Sequence, residues 1–219
     1  MFYDRKDAAL YLAKALAEYK DQGAVVLGIP RGGVETAYYV AKYLHAELSL
    51  IISRKLGHPG NPEYAMGALA EDGSVHMNER ALREVSQEDI DAAIEGQKIE
   101  IERRIRMLRK GEPLPDMKNK IVLIVDDGIA TGSTIMAAIE MCRKKQAAKI
   151  VIAAPVCGYE VKSELMKMAD DVVILETPEF YHAVSQVYAS FEQVSDEEAL
   201  WLMDMWKKEK RPIVKASGL

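Results

Sequence analysis

The sequence predicts an α/β protein with an open, doubly wound, mainly parallel sheet. Short aliphatic runs such as Ile121–Val125 have the length and β-branching of buried parallel strands. Segments with apolar residues at helical spacing separate these runs, as expected for strands joined by crossover helices. Open sheets of this kind bind ligands at the carboxyl ends of their strands, so the loops that follow the strands are where we look for a site.

Length and composition fit a single domain over residues 1–219. The chain is 49% hydrophobic and 29% charged, and no apolar run is long enough to cross a membrane. The first residues lack the apolar core of a signal peptide. A formal net charge of −5 argues against general nucleic-acid binding, which favours a basic surface. Cys142 and Cys157 are isolated and fall at predicted core positions, which indicates buried free thiols and a reducing, cytoplasmic location.

The chain begins with a predicted helix that Asp4 caps and that runs to about Lys20. A short strand follows at Ala24–Ile29. Next comes the loop Pro30-Arg31-Gly32-Gly33, in which the glycines allow close backbone approach and Arg31 offers a cation to an anion. Alone, this turn is weak evidence for a functional site, and the evidence becomes stronger if a second anion-binding segment lies beside it.

A third strand is predicted at Leu48–Ser53, with Arg54 and Lys55 directly at its end. Residues 56–67 contain three glycines and two prolines, which indicates a long loop. In that loop, His58 and Glu63 are either titrating groups of a site or surface residues.

A hairpin and a long helix complete the middle of the chain. The hairpin pairs Ala68–Ala70 with Val75–Met77, and the helix runs from Gln87 to about Lys110. The helix ends with a basic cluster formed by Arg103, Arg104, Arg106, Arg109 and Lys110. Cations suit a helix C-terminus, so we interpret the cluster as a solvated face, with a phosphate or RNA contact as the alternative.

The most informative stretch follows the strand Ile121–Val125. Asp126 and Asp127 stand at its carboxyl end, and small or hydroxylic residues then lead into a helix: Gly128, Ile129, Ala130, Thr131, Gly132, Ser133 and Thr134. Backbone N–H groups at such a helix start, with the three hydroxyls, form a cradle for phosphate. The acidic pair repels that phosphate and suits sugar hydroxyls or a hydrated divalent metal instead. A ribose 5-phosphate fits both features, because its phosphate suits the cradle and its hydroxyls suit the acidic pair.

A receiver domain and a purely structural turn are the alternatives for this stretch. Ile-Val-Asp-Asp also opens bacterial receiver domains, but a receiver carries the acidic pair near its start and a lone Asp after a later strand. Here the pair lies past the midpoint, and the later strand Val172–Leu175 ends in Glu176 and Thr177. A purely structural strand–turn–helix requires neither two adjacent carboxylates nor three hydroxyls.

Two further strands are predicted at Lys149–Val156 and Asp171–Leu175, with a helix at Tyr159–Met168 between them. The aromatic segment that follows lies above the same sheet edge, where Phe180 and Tyr181 either stack on a ligand or pack in the core. Ser195 begins a last helix, and we expect the polar end from Lys207 to fray.

The stretch from Ile121 to Thr134 resembles, without a gap, the signature of the type I phosphoribosyltransferases. Nearly the whole chain is similar to a group of predicted phosphoribosyltransferases of bacteria and archaea. The shared motifs are Phe2–Arg5, Pro30–Gly33, Arg54–Gly57, Pro59–Glu63 and Val125–Gly132.

This resemblance implies transfer of 5-phosphoribosyl from 5-phosphoribosyl 1-pyrophosphate (PRPP) to a nitrogenous base or related acceptor, with Mg²⁺ as cofactor and pyrophosphate released. Asp126 and Asp127 would hold the ribose hydroxyls or the metal, and Gly128–Thr134 the 5-phosphate. Arg31, Gly32 and Gly33 would receive the pyrophosphate with help from Arg54 and Lys55, and a strained peptide is expected near Arg31.

The resemblance also implies mobile and variable parts. A flexible loop at about 54–78 would close over PRPP, and a hood with a helix at about 176–209 would cover a nucleobase, stacking Phe180 or Tyr181 on it. The family is commonly homodimeric. The alternative function is a PRPP-binding regulatory protein without turnover, which the basic cluster on the long helix keeps open.

Overall fold

The structure, a computed structural model, describes residues 1–79 and 81–210, without the side chains at positions 62, 63 and 210. Its strands are β1 (Val25–Gly28), β2 (Glu47–Leu50), β3 (Ser53–His58), β4 (Asn61–Ala70), β5 (Val75–Met77), β6 (Ile121–Val125), β7 (Lys149–Val156) and β8 (Asp171–Glu176). Its α-helices are α1 (Arg5–Ala15), α2 (Gly32–Leu44), α3 (Ala81–Glu84), α4 (Gln87–Arg109), α5 (Ser133–Lys144), α6 (Tyr159–Met168) and α7 (Asp196–Lys210).

A five-stranded parallel sheet in the order β2-β1-β6-β7-β8 forms the centre of the fold, as predicted. Strand β1 pairs with β2 on one side and with β6 on the other. The strand order therefore changes direction at β1: β2 is added on one side, and the later strands are added on the other. Loops after two such strands diverge to opposite faces and leave a crevice between them. The sheet therefore places a potential ligand crevice at the ends of β1 and β6.

The sheet is covered on both faces, because alternate residues of each strand point to opposite sides. Leu123 and Val125 of β6 belong to a buried cluster that includes residues of α1, α2 and α7. Val122 and Ile124 belong to a second cluster with α5 and with Leu165 of α6. This is the doubly wound α/β architecture that the sequence predicts.

A smaller antiparallel sheet, β3-β4-β5, packs between α4 and α5. The prediction of a loop over residues 56–67 is wrong, because these residues form most of the β3–β4 hairpin, while the Ala68–Ala70 and Val75–Met77 pairing is confirmed. Glycine accounts for the error. The register shifts at Gly57, and a Cβ on Gly67 would lie 2.3 Å from the carbonyl oxygen of His76, so these glycines serve a bulge and a close strand contact.

Element boundaries agree with the sequence for β7 and α6 and deviate near the two ends of the chain and at β2, because the strand predicted at Leu48–Ser53 ends at Leu50. Helix α1 ends at Ala15 rather than near Lys20, and a short 3₁₀ helix follows. At the start of α7, the backbone N–H of Glu198 donates to Ser195 Oγ at 3.1 Å, and that of Ser195 donates to the Glu198 carboxylate at 2.7 Å. Helix α7 continues to Lys210, so fraying does not begin at Lys207; the rest of that prediction lies outside the described residues.

Both cysteines are free and buried, as predicted. Burial raises the pKa of the Cys142 thiol to about 12 and that of Cys157 to about 11. Within the described part of the chain, no helix combines the length and apolar character needed to cross a bilayer.

The basic cluster of α4 is a solvated face at most positions. Arg103 and Arg104 pair with Glu100, and Arg106 pairs with Glu102. Arg109 is the exception and corrects the prediction. It is buried and forms an ion pair with Glu71, because its side chain runs inward beneath β2 instead of outward to solvent.

Candidate active site

The loops that follow β1 and β6 meet at the crevice between these strands. The backbone N–H of Ile29 donates to the carbonyl of Val125 at 3.0 Å, which joins the two loops at their start. A Cβ on Gly33 would lie 2.8 Å from Asp126 Oδ1, and one on Gly32 would lie 1.8 Å from Asp127 Oδ2. The glycine pair is therefore required for the loops to touch. The peptide bond between Pro30 and Arg31 is cis, and it lies where the family resemblance implies a strained peptide.

Asp126 stands at the carboxyl end of β6 and faces the Gly33 turn. Its burial, together with the negative charge of Asp127, raises the pKa of Asp126 well above its usual range. The backbone N–H of Asp127 donates to Asp126 Oδ1 at 2.8 Å and opposes this shift. Among the described residues Asp126 forms no ion pair, so a cation brought by a ligand would lower its pKa again and favour the charged carboxylate.

Asp127 is paired within the protein. Its Oδ2 accepts a hydrogen bond from Arg5 Nε at 2.6 Å, with the two side chains only 8% and 12% exposed. The Tyr188 hydroxyl donates to the backbone carbonyl of Asp127 at 2.6 Å. Sequence motifs alone did not assign Arg5 to the site. Arg5 shares the buried face of α1 with Ala8 and Leu12, and this helical spacing in the sequence could have shown that its side chain is buried.

The segment between β6 and α5 has the geometry of an anion cradle. Gly132 has φ +71° and precedes the first residue of α5, and no side chain caps that helix. The N–H groups of the first helical turn therefore lack both an intrahelical acceptor and a side-chain cap. Thr131 is exposed, and Ser133 and Thr134 are half-buried. A cavity of about 420 Å³ beside this turn is lined by Thr131 and Ser133 and, from other elements, by His76 and Lys167.

Two residues predicted for the cradle have other roles. The N–H of Ile129 donates to the carbonyl of Val156 at 2.9 Å, and its side chain is buried, so the prediction that Ile129 binds a phosphate is wrong. Gly128 is packed beneath Val184, because a Cβ there would lie 2.2 Å from Val184 Cγ1. Its small size brings the segment after β8 down onto the crevice.

The predicted basic residues are placed differently from one another. Arg31 directly precedes α2, is half-buried and lies 3.9 Å from Asp196 of α7. Lys55 is exposed and lies opposite Ala68 in the strand register. Ala68 belongs to the buried cluster around α5, so Lys55 is on the face of the small sheet that packs on this helix. Arg54 projects to the opposite face, where its Nε donates to Gln97 Oε1 of α4 at 3.1 Å. The structure therefore does not bring Arg54 to the loops.

The aromatic segment after β8 contributes one side chain to the crevice. Phe180 is 75% exposed, so it does not pack in the core. The Tyr181 hydroxyl is buried without a hydrogen-bond partner among the described residues, and burial together with the nearby charges of Cys157, Asp127 and Asp126 raises its pKa. Tyr181 also lines a cavity of about 590 Å³ together with Ala130.

The structure describes one of the two undecided side chains of the β3–β4 hairpin. His58 Nδ1 accepts a hydrogen bond from the N–H of Gly60 at 3.0 Å, which stabilises the hairpin turn and fits the surface interpretation. The Glu63 side chain lies outside the described residues.

The donor set at the crevice fits a magnesium ion that arrives with a phosphate ligand. In the described ranges no group of three or more His, Cys, Asp or Glu residues is arranged to hold a metal. Asp126 offers a carboxylate, while Asp127 is neutralised by Arg5. Magnesium commonly takes one or two protein carboxylates and completes its shell with water and substrate phosphates, which matches this arrangement.

Comparison with known proteins assigns the fold and the loops to a family. The model of the phosphoribosyl transferase domain matches residues 3–192, and the chain belongs to this family. Two proteins of Mycobacterium tuberculosis, from strains CDC 1551 and H37Rv, are provisionally named phosphoribosyl transferases (MT0597 and Rv0571c). Each is 41% identical over 206 residues, which cover 93% of this chain and 46% of theirs, so the chain spans about half their length. The crystal structure of TT1426 from Thermus thermophilus is 36% identical with a TM-score of 0.82, covering 94% of this chain and 98% of that one.

Proposed function

We propose that this protein transfers the 5-phosphoribosyl group of PRPP to a nitrogenous base or related acceptor and releases pyrophosphate, with Mg²⁺ as cofactor. The observation that carries the proposal is the contact of the two loops across the crevice. The cradle before α5 and the Pro30–Gly33 turn offer two places for anions, and Asp126 is in contact with Gly33 of that turn. PRPP has this pattern of a phosphate, a diol and a pyrophosphate.

Each part of the crevice has a role in this reaction. Thr131, Ser133 and Thr134, with the N–H groups of the first turn of α5, bind the 5-phosphate. Asp126 holds the ribose hydroxyls, and its negative charge stabilises the positive charge that develops at C1 as pyrophosphate departs. Magnesium, when bound, supplies positive charge to the pyrophosphate.

The pyrophosphate end is received by the turn after β1. The start of α2 at Gly32 provides backbone N–H groups. Arg31 provides a half-buried guanidinium, and its contact with Asp196 is long, at 3.9 Å, so the group can also pair with an anion. Lys55 approaches from the small sheet, whereas Arg54 is excluded by its contact with α4. We propose that the β3–β5 sheet, rather than a long irregular loop, covers this side of PRPP and keeps water away from the reacting carbon.

The acceptor binds in the 590 Å³ cavity between Ala130 and Tyr181. The buried Tyr181 hydroxyl has no partner among the described residues, and an acceptor nitrogen or carbonyl would supply one. A nucleobase is the acceptor class that we expect, since Tyr181 and the exposed Phe180 can flank a flat ring. The homodimer and the cytoplasmic location stay predictions.

The test is release of pyrophosphate from PRPP and Mg²⁺ across a panel of bases, with wild-type protein, Asp126→Asn and the control Asp91→Asn. Asp91 is an exposed carboxylate of α4, so its replacement should not matter. We expect turnover with at least one base and a loss of about a hundredfold in Asp126→Asn, because the charge that stabilises C1 is gone.

Two results would contradict the proposal in different ways. Tight PRPP binding without turnover on any base would favour the regulatory alternative. No PRPP binding, or unchanged turnover in Asp126→Asn, would remove the assignment of the site.

A further inference from the structure

Arg5 joins the start of α1 to two distant parts of the chain beneath the crevice. Its Nε donates to Asp127 Oδ2, its Nη1 donates to the carbonyl of Glu192, and its guanidinium carbon lies 3.9 Å from the centre of the Phe191 ring. An arginine that is 7% exposed loses most of its hydration, so these contacts must replace it. Arg5 is therefore not a solvated residue of a packing helix.

The segment that carries Arg5 is itself fixed to the chain that follows β8. The N–H of Phe2 donates to the carbonyl of Val187 at 2.7 Å, and the N–H groups of Ala189 and Ser190 donate back to Phe2 and Tyr3 at 2.8 Å. These backbone bonds hold the start of α1 against the crevice independently of the Arg5 side chain. The charge of Arg5 can thus be separated experimentally from the position of the segment.

The charge of Arg5 lies directly under the turn proposed for the pyrophosphate. A Cβ on Gly32 would lie 1.8 Å from Asp127 Oδ2 and 3.1 Å from Arg5 Nε, so the turn, the carboxylate and the guanidinium are in contact. An uncompensated Asp127 would repel an anion bound at this turn, and it would also repel the neighbouring Asp126. Both repulsions are weakened when Arg5 is present.

We propose that Arg5 is a positioning residue that neutralises Asp127 beneath the Pro30–Gly33 turn, so that this turn accepts the anionic pyrophosphate end of PRPP and Asp126 alone faces the ribose. This inference rests on the proposed function and divides the acidic pair into two roles. Asp127 anchors the turn through Arg5, and Asp126 meets the ligand.

The experiment measures PRPP dissociation constants, KM and kcat for wild-type protein, Arg5→Gln, Arg5→Lys and the double variant Arg5→Gln with Asp127→Asn. Arg5→Gln should weaken PRPP binding by about tenfold or more, because it leaves a buried carboxylate uncompensated, and should raise KM more than it lowers kcat. Arg5→Lys should recover part of the loss. The double variant should recover most of it, since removal of both charges also removes the repulsion.

Phe191→Leu is the matched control, because it removes the ring against Arg5 and keeps the charge. We expect PRPP affinity within about twofold of wild type for this variant. Thermal unfolding of every variant checks the fold. If Arg5→Gln does not fold, the double variant takes its place: PRPP affinity close to that of wild type supports the inference, and a loss of about tenfold or more overturns it.

Three results would overturn the inference: unchanged PRPP affinity in Arg5→Gln, a double variant that binds no better than Arg5→Gln, or an equal loss in Phe191→Leu. A wild-type protein that binds no PRPP would instead remove the proposed function, and this inference with it. The two failures are therefore distinguishable.

Discussion

Arg5–Asp127 and Arg109–Glu71 are both buried arginine–carboxylate pairs, but their surroundings differ. Arg109 binds Glu71 through both terminal nitrogens, at 2.8 and 3.0 Å, and also donates to the carbonyl of Leu50 at 3.0 Å. The N–H of Ile52 donates to the same Glu71 carboxylate at 2.9 Å. This pair, together with Leu50 and Ile52, joins the end of β2 to the small sheet.

The Arg5–Asp127 pair has one direct contact between side chains and a like charge next to it. Asp126 is adjacent in sequence, and the glycine turn lies directly against both carboxylates. A buried pair that several contacts within the protein hold in place serves stability, whereas a pair beside an uncompensated carboxylate fits a site. The difference lies in what surrounds each pair, since both contain the same two chemical groups.

The largest effect is expected at Arg109. Arg109→Ala should lower the free energy of unfolding by about 3–5 kcal/mol, because it leaves the buried Glu71 carboxylate and the Leu50 carbonyl without their partner. Urea denaturation measures this loss, and Arg106→Ala, which breaks an exposed pair on the same helix, should cost about 0.5 kcal/mol or less. A loss below about 1 kcal/mol in Arg109→Ala would show that the pair does not stabilise the fold.

Local sequence patterns predicted the central sheet well. Strand β7 and helix α6 have the predicted boundaries, because a continuous aliphatic run and a helical period are properties of neighbouring residues. The contact between the β1 and β6 loops also followed from the sequence, since parallel strands present their carboxyl ends at one edge.

The errors arose where distant residues decide the structure. Glycines in β3 and β4 suggested a loop, although they fit a bulge and a partner strand that only the fold supplies. Arg109 was grouped with its exposed neighbours, and Arg5 was not assigned, because their partners Glu71 and Asp127 lie 38 and 122 residues away. Ion-pair partners at such separations cannot be inferred from a single sequence.

A smaller effect is expected at Gly32, where the site and its supporting pair touch. Gly32→Ala places a methyl group against Asp127 Oδ2, so the Arg5–Asp127 pair must shift, and we expect a loss of about 1–3 kcal/mol in stability together with weaker PRPP binding. Gly96→Ala is the control, because no atom lies within 4 Å of its added Cβ and the residue is inside α4. This control should gain about 0.5–1 kcal/mol with PRPP affinity unchanged. Wild-type stability and affinity in Gly32→Ala would contradict the close contact.

The smallest effect is expected at Glu100. Its ion pairs lie on the outer face of α4, and their contribution to stability can be compared with that of the buried pairs. Hydrogen bonds from Arg103 and Arg104 lower the pKa of Glu100 to about 2. A carboxyl whose pKa is lower in the folded state contributes stability above its ordinary pKa near 4.5 and loses it as the pH falls toward 2. Glu100→Gln should therefore lower the free energy of unfolding by about 0.5 kcal/mol at pH 7, and this difference from wild type should narrow steadily in urea titrations between pH 5 and pH 3. A difference that grows on acidification would mean that the two arginines do not hold the carboxylate in its charged form.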